Sequence, residues 1–204
     1  MHLEILSDQQ KELLPLISLF KREYYLVGRT AIALHIGHRQ SIDFDLFKQK
    51  AIRKNDVYKK IEQSRFPYNA SFSDYNHINL VVNSVKFTFF QFPFIIPVNS
   101  NLENIIKIPD LLALAAMKAF AMRRAKWKYY VDLYFLLKNH FSAAQISTKA
   151  KELFKEQFVE KQFLAQIGYF KGINYEEEAT FLIENPPTKQ EIKDFLTETS
   201  LSGL

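Results

Sequence analysis

The stretch from Tyr24 to Phe47 constrains the fold of this chain more than any other. It reads YYLVGRTAIALHIGHRQSIDFDLF, which predicts an apolar strand, a turn led by glycine, a short helix and a second strand. The second strand carries Asp43 and Asp45, and residues two apart on a strand point to the same side. We therefore expect these two carboxylates to stand side by side. The alternate residues should face the core: Ile42, Phe44 and Leu46.

Two neighbouring carboxylates repel each other, and a cation between them relieves the repulsion. Mg²⁺ suits such a position because it prefers oxygen ligands and usually also binds substrate phosphates. Gly28 precedes the predicted helix, where glycine would let a phosphate approach the backbone and the helix N-terminus. Each feature also has a simpler interpretation, since Asp43 and Asp45 fit a solvated strand face and Gly28 fits an ordinary turn.

The composition bounds the class of protein. The 204 residues suit one large domain, or a domain with a helical extension. The chain contains no cysteine, which excludes disulfides, thiolate zinc sites and cysteine nucleophiles. The first residues, MHLEILSDQQK, do not resemble a secretory signal, and no apolar run reaches the roughly 20 residues that span a bilayer. We expect a cytoplasmic protein with no membrane partner.

The periodicity of apolar residues predicts an α+β protein with two parts. Residues 1–104 should form a mixed sheet of about five strands flanked by helices, beginning with a helix over 7–22. Asn83 and Ser84 mark a hairpin turn between two of these strands. Residues 105–204 read as helices and should form a C-terminal helical bundle packed on the core.

Three stretches carry a resemblance to a known family. They are LVGRTAIALHIGHRQSIDFDLF, VNSVKFTFFQFP and IPDLLALAAMKAFAMRRAKWKYYVDLYFLL, and they occur in this order. Together they resemble the nucleotidyltransferase fold of the DNA polymerase β superfamily. The closer similarity is to the AbiEii-type nucleotidyltransferase toxins of bacterial phage-defence and toxin–antitoxin systems.

The resemblance implies a Mg²⁺-dependent transfer of a nucleoside monophosphate from an NTP to a hydroxyl group. It implies metal binding by Asp43 and Asp45, a phosphate contact by Lys118 and a further essential carboxylate at Asp132. The remaining nucleotide-binding residues that we expect are Gly28, Arg29, Thr30, Arg39 and Lys86. Taken without the family, Lys118 fits a surface lysine, Lys86 fits a charged edge-strand residue, and Asp132 fits an i,i+4 ion pair with Lys128.

The resemblance also implies partners: an acceptor that is RNA, with the tRNA 3′ end as one form of it, and a cognate antitoxin protein. The net charge of +5 includes a basic cluster beside Trp127, Tyr129 and Tyr130 that could hold acceptor phosphates and stack bases. The alternative is a helix turn whose basic side chains are solvated. The cluster consists of Arg123, Arg124, Lys126 and Lys128.

Three positions depart from the family pattern. Arg29 stands where relatives have a second turn glycine, Thr88 where many have a third carboxylate, and Tyr129 where many have an aspartate. Threonine is a poor base near neutral pH, and Asp74 is the alternative base if its strand lies alongside. These departures keep open a member of the fold that binds a nucleotide or RNA without transferring it. A third hypothesis is a partner-binding protein whose function lies in the helical half.

Overall fold

The computed structural model describes residues 1–122, 126–176 and 178–202. The chain divides into two compact units, Met1–Asp110 and Leu111–Leu204. The first unit contains a mixed sheet with helices and the second is helical, so the predicted α+β class is confirmed.

Seven strands of the described residues form one sheet in the first unit. Its order is β3-β4-β5-β2-β1-β7-β6, with β2–β5 and β1–β7 parallel and the other neighbours antiparallel. The strands are β1 (Tyr25–Val27), β2 (Asp43–Lys48), β3 (Tyr68–Ser73), β4 (His77–Val82), β5 (Val85–Gln91), β6 (Ser100–Leu102) and β7 (Ile106–Ile108).

The prediction of about five strands is therefore two short. The missing pair, β6 and β7, lies on the two sides of the boundary that was predicted between residues 104 and 105. Each has three residues, which is too short for alternation of apolar and polar side chains to be visible.

The described residues form helices in both units. In the first unit they are α1 (Asp8–Glu12), α2 (Leu14–Ser18), α3 (Gly28–Ile36) and α4 (Lys54–Ser64), after a 3-10 turn at Leu3–Ile5. In the second unit they are α5 (Leu111–Phe120), α6 (Trp127–Asn139), α7 (Ala143–Phe154), α8 (Glu160–Ile167) and α9 (Lys189–Ser202), with a 3-10 turn at Lys155–Gln157.

The prediction of a single helix over 7–22 is wrong. This segment forms two short helices that meet at Leu13, because Pro15 lies in the first turn of α2 and cannot donate a backbone hydrogen bond to the preceding turn. The capping box of Ser7 and Gln10 does begin α1. The hairpin at Asn83 and Ser84 is also confirmed, with φ of 46° and 65° at the two residues.

One face of the sheet is apolar. Phe44 and Leu46 of β2 are fully buried, and the Phe44 ring packs 5.3 Å from that of Phe87 on β5. Ile42, which we expected in the same core, is 62% exposed. It precedes β2, which begins at Asp43, so the strand alternation does not extend to it. In the described residues, no helix is long and apolar enough to cross a membrane.

Candidate active site

Asp43 and Asp45 lie on the face of β2 opposite to the apolar core, as predicted. Asp43 is buried and Asp45 is half-buried. In the parallel pairing of β2 with β5, Asp43 is opposite Lys86 and Asp45 is opposite Thr88. Side chains of paired residues point to the same side of a sheet, so the exposed Lys86 and the half-buried Thr88 flank the two carboxylates.

Gly28 lies against Asp45 because Val27, the last residue of β1, pairs with Asp45. Gly28 has φ of +72°, a left-handed conformation that glycine adopts without steric cost. A Cβ at this position would lie 3.0 Å from Cγ of Asp45 and closer still to its Oδ2. The carboxylate therefore occupies the space that any other residue at position 28 would fill.

Thr30 fixes the start of β2. Its buried hydroxyl bonds to the backbone carbonyl of Asp43, and its Oγ1 lies 2.8 Å from Oγ of Ser41. Ser41 in turn donates to Oδ1 of Asp43 at 3.3 Å. The first turn of α3 is thus tied to the first residue of β2, and the Asp43 carboxylate is held by hydroxyl groups on one side.

Arg29 binds the other side of the same carboxylate. Its Nη2 lies 2.5 Å from Oδ2 of Asp43, and both side chains are largely shielded from water, at 15% and 10% exposure. A charge-assisted bond of this kind is among the stronger hydrogen bonds in proteins. Arg29 is therefore placed at the predicted phosphate-binding turn, with its guanidinium on the first of the two aspartates.

The start of α3 can attract an anion. Val27 is its N-cap residue and has no side-chain oxygen to accept from the first N–H groups of the helix. Such N–H groups carry partial positive charge and favour phosphate. Gly28 begins this helix, so the turn that could receive a phosphate is in contact with Asp45.

Thr88, which the resemblance places where many relatives have a third carboxylate, pairs with Asp45 across β2 and β5. Asp74, the alternative base, lies in the turn that follows β3, where its carboxylate accepts from the backbone N–H of Asn76. Asn79, rather than Asp74, is the residue of β4 that pairs with Thr88. The expectation that Asp74 could replace the missing carboxylate is therefore wrong.

Arg39 and His38 are buried in the segment that follows α3, and His35 is half-buried in the last turn of that helix. Arg39 is 1% exposed, and its Nη1 donates to the carbonyl of Gln40 at 2.8 Å. His35 contacts the carbonyl of Pro109 through Nε2 at 3.0 Å. Burial lowers the pKa of His35 below its ordinary value, opposed by the hydrogen bond to Pro109 and the charge of Asp110. These contacts support the backbone around the turn.

In the second unit, Lys118 of α5 and Asp132 of α6 form a buried ion pair. The Nζ–Oδ2 distance is 2.8 Å, with side-chain exposures of 4% and 0%. The ammonium also lies 4.3 Å from the centre of the Tyr129 ring. The interpretation of Lys118 as a surface lysine is therefore wrong. Tyr129, one of the departures from the family pattern, covers this pair.

The basic cluster is described in part. Arg123 and Arg124 lie outside the described residues, while Lys126 is exposed and Lys128 is half-buried. Trp127 and Tyr130 are buried, and their rings stack at 6.3 Å. We expected these two rings to stack with bases of an acceptor, and their burial in the helical unit contradicts this.

The donor set at the start of β2 is suited to Mg²⁺. The described residues contain no group of three histidine or acidic side chains that could hold a metal ion by themselves. Mg²⁺ usually binds one or two carboxylates together with substrate phosphates, and Asp43 and Asp45 supply that number beside a phosphate-attracting turn. Two features escaped sequence reasoning: the hydroxyl bond of Ser41 and the ion pair of Arg29 with Asp43. For the hydrogen bond of Ser41, the only indication in the sequence was a serine two residues before an aspartate.

Known proteins resemble this chain in sequence and in structure. The chain is 29% identical over 143 residues to the uncharacterized protein aq_aa25 of Aquifex aeolicus, which is 66% of this chain and 68% of that protein. The structure of this chain resembles that of JHP933 from Helicobacter pylori, with a TM-score of 0.58 and 15% identity over 97% of this chain and 93% of that chain. It also resembles the nucleotidyltransferase toxin MenT4 from Mycobacterium tuberculosis, with a TM-score of 0.59 and 13% identity over 96% and 82% of the two chains.

At these identities the structural likeness shows the fold alone. The family assignment comes from the sequence, because residues 16–200 match a family described as nucleotidyl transferase AbiEii toxin, type IV toxin–antitoxin system. This match covers most of the 204 residues and includes the three stretches on which the resemblance was based. The chain therefore belongs to the AbiEii nucleotidyltransferase toxin family.

Proposed function

We propose that this protein is an active nucleotidyltransferase that moves a nucleoside monophosphate from an NTP to a hydroxyl group of RNA. The observation that carries the proposal is the placement of Asp43 and Asp45 on one strand face, with Asp45 against Gly28 at the start of α3. A pair of oxygen ligands then lies beside a turn that attracts phosphate, which is the combination that an NTP with Mg²⁺ requires.

Each candidate site residue of the first unit has a role in this proposal. Asp43 and Asp45 would hold Mg²⁺, which would neutralise charge on the phosphates during transfer. Gly28 makes room for the Asp45 carboxylate beside the N–H groups of α3, where the triphosphate would bind, and Thr30 holds Asp43 in place through its backbone carbonyl. Arg29 and Lys86 contribute positive charge to the triphosphate. The buried Arg39 supports the segment that leads into β2.

The reaction itself is a displacement at the α-phosphorus. The acceptor hydroxyl oxygen bonds to that phosphorus, and the bond from the phosphorus to the oxygen that bridges the α- and β-phosphates breaks. Pyrophosphate leaves with the electron pair of that bond, and the hydroxyl proton passes to water. Thr88 does not supply a base for the hydroxyl proton at neutral pH. Catalysis therefore depends on positioning and on electrostatic stabilisation, which can supply most of the rate enhancement in such reactions.

The remaining assignments follow from family membership. We propose that Lys118 contacts nucleotide phosphates and that Asp132 is essential for activity. Lys126 and Lys128, with Arg123 and Arg124, would bind phosphates of the acceptor RNA, for which the tRNA 3′ end is our first choice. A cognate antitoxin is the expected protein partner in a toxin–antitoxin system, and the cytoplasm is the expected compartment for such substrates.

Transfer of label tests the proposal directly. The purified protein is incubated with each α-³²P-labelled NTP, Mg²⁺ and total tRNA, and the RNA is separated on a denaturing gel. We expect label in RNA with the wild-type protein and its loss with Asp43→Asn or Asp45→Asn. Asp8→Asn is the matched control, because it makes the same change at a side chain that is 94% exposed, and it should label RNA as the wild type does.

A second candidate function is binding of a nucleotide or RNA without transfer. The ion pair of Arg29 with Asp43 favours it, because the arginine occupies an oxygen that the metal would use. Thr88 in place of a carboxylate favours it as well. Tight NTP binding with no labelled RNA, for any NTP and any tRNA fraction, would support this candidate over the enzyme.

A further inference from the structure

The Arg29–Asp43 ion pair carries a consequence for the order in which ligands bind. Both oxygens of the Asp43 carboxylate are engaged, Oδ2 by Nη2 of Arg29 at 2.5 Å and Oδ1 by Oγ of Ser41 at 3.3 Å. The guanidinium is the charged partner, and it keeps its charge at any physiological pH. A divalent cation on Oδ2 would bring a second positive charge next to the guanidinium, and this repulsion favours displacement of Arg29.

We propose that Arg29 makes divalent-cation binding at Asp43 conditional on the nucleotide. Without nucleotide, Arg29 occupies the cation position on Asp43. When an NTP arrives at the start of α3, its phosphates offer the guanidinium a more highly charged partner, and Arg29 transfers from the carboxylate to the triphosphate. This inference rests on the proposed function, since it assigns a role to Arg29 within the same site.

Sequence position gives Arg29 access to both partners. It is the second residue of α3, so its backbone N–H belongs to the turn that attracts phosphate, while its side chain reaches Asp43 on β2. The planar guanidinium forms bidentate bonds with carboxylate and phosphate alike. A glycine at this position, as in the family pattern, has no side chain to bind either the carboxylate or the phosphate.

The pair is shielded enough to matter for affinity. With exposures of 15% and 10%, the two charges interact more strongly than an ion pair in open solvent. The cation then binds only those molecules in which Arg29 has left Asp43. Its apparent affinity is the intrinsic affinity multiplied by the fraction of such molecules. The NTP and the cation should then strengthen each other's binding, because such coupling is reciprocal.

Binding of Mn²⁺ without nucleotide tests this inference apart from catalysis. Free Mn²⁺ is counted by electron paramagnetic resonance as it is titrated into the wild type, Arg29→Ala, Arg29→Gln and Asp43→Asn. Arg53→Ala is the matched control, because it removes the same charge from an exposed residue, 82% exposed at its side chain. Thermal midpoints in EDTA show whether each variant is folded. If Arg29→Ala does not fold, Arg29→Gln replaces it in the titration.

We expect Arg29→Ala and Arg29→Gln to bind Mn²⁺ about tenfold more tightly than the wild type, which lies within the usual range of coupling between sites. Arg53→Ala should match the wild type, and Asp43→Asn should lose the tight site. A non-hydrolysable NTP should raise the Mn²⁺ affinity of the wild type by a larger factor than that of Arg29→Ala. Mn²⁺ should also raise the thermal midpoint of Arg29→Ala more than that of the wild type.

Two results would overturn the inference, and they differ in what they leave standing. Equal Mn²⁺ affinity of the wild type and both Arg29 variants, with binding still lost in Asp43→Asn, would remove the role of Arg29 and leave the proposed function intact. Absence of Mn²⁺ binding by every protein, with and without NTP, would remove the proposed function and this inference together.

Discussion

The Asp45 carboxylate fills the space in which a side chain on Gly28 would begin. This contact joins the phosphate-attracting turn to the second aspartate, and it depends on the pairing of Val27 with Asp45 in adjacent strands. Glycine is required twice here, once for φ of +72° and once for the absence of Cβ.

Gly28→Ala should therefore cost more than an ordinary glycine substitution. Gly172 is a matched control, because its φ is +75° but nothing lies within 4 Å of a Cβ built on it. We expect Gly172→Ala to lower the free energy of unfolding by about 1–2 kcal/mol, the cost of a left-handed residue. Gly28→Ala should lose roughly 1–3 kcal/mol more through the clash with Asp45. Urea denaturation measures both, and equal losses would contradict the contact.

Variants of the Lys118–Asp132 pair can distinguish a structural role of these residues from a catalytic one. Lys118→Met leaves Asp132 charged and buried, and removing one partner of a buried pair typically costs about 3–5 kcal/mol. In the double variant Lys118→Met with Asp132→Leu no charge is left behind, so most of the lost stability should return. Denaturant unfolding checks this recovery.

RNA labelling by the same double variant checks the proposed catalytic roles. If Lys118 and Asp132 serve the reaction, the recovered fold should still transfer no label. Restored labelling together with restored stability would show that the pair only holds α5 to α6.

His35 predicts a pH dependence of stability. Burial holds its pKa below the ordinary value of 6.5, so the unfolded chain binds a proton in a range where the folded protein does not. The free energy of unfolding should fall as pH decreases through 6.5 towards the folded-state pKa. His35→Gln removes this titration and should show a flatter profile between pH 7.5 and 5.5, while the two proteins run parallel above pH 8. Identical slopes in the lower range would contradict the lowered pKa of the half-buried His35.

The sequence was sufficient to predict the elements that carry the candidate site. Asp43 and Asp45 share a face because strand periodicity is strict, and the hairpin at Asn83 and Ser84 followed from its turn residues. Pairing between distant strands was not predictable from local pattern, and it is this pairing that puts Thr88 beside Asp45 and Gly28 against its carboxylate.

Ion pairs were the least predictable contacts. Lys118 and Asp132 lie on different helices, and Arg29 and Asp43 lie on a helix and a strand, so no periodic spacing relates either pair. Arg29 was expected to bind the nucleotide, and as a departure from the family pattern it also kept open a protein that binds without transfer. Only its position relative to Asp43 distinguishes these possibilities, and that depends on tertiary structure.

The most direct test of the central claim is a crystal structure with Mn²⁺ and an NTP analogue that resists cleavage between the α- and β-phosphates. The account predicts an anomalous Mn²⁺ peak about 2–2.5 Å from carboxylate oxygens of both Asp43 and Asp45. It also predicts triphosphate at the start of α3, with Arg29 moved from Asp43 to a phosphate. A well-ordered analogue bound elsewhere, with Arg29 still on Asp43 and no metal at the two aspartates, would contradict it.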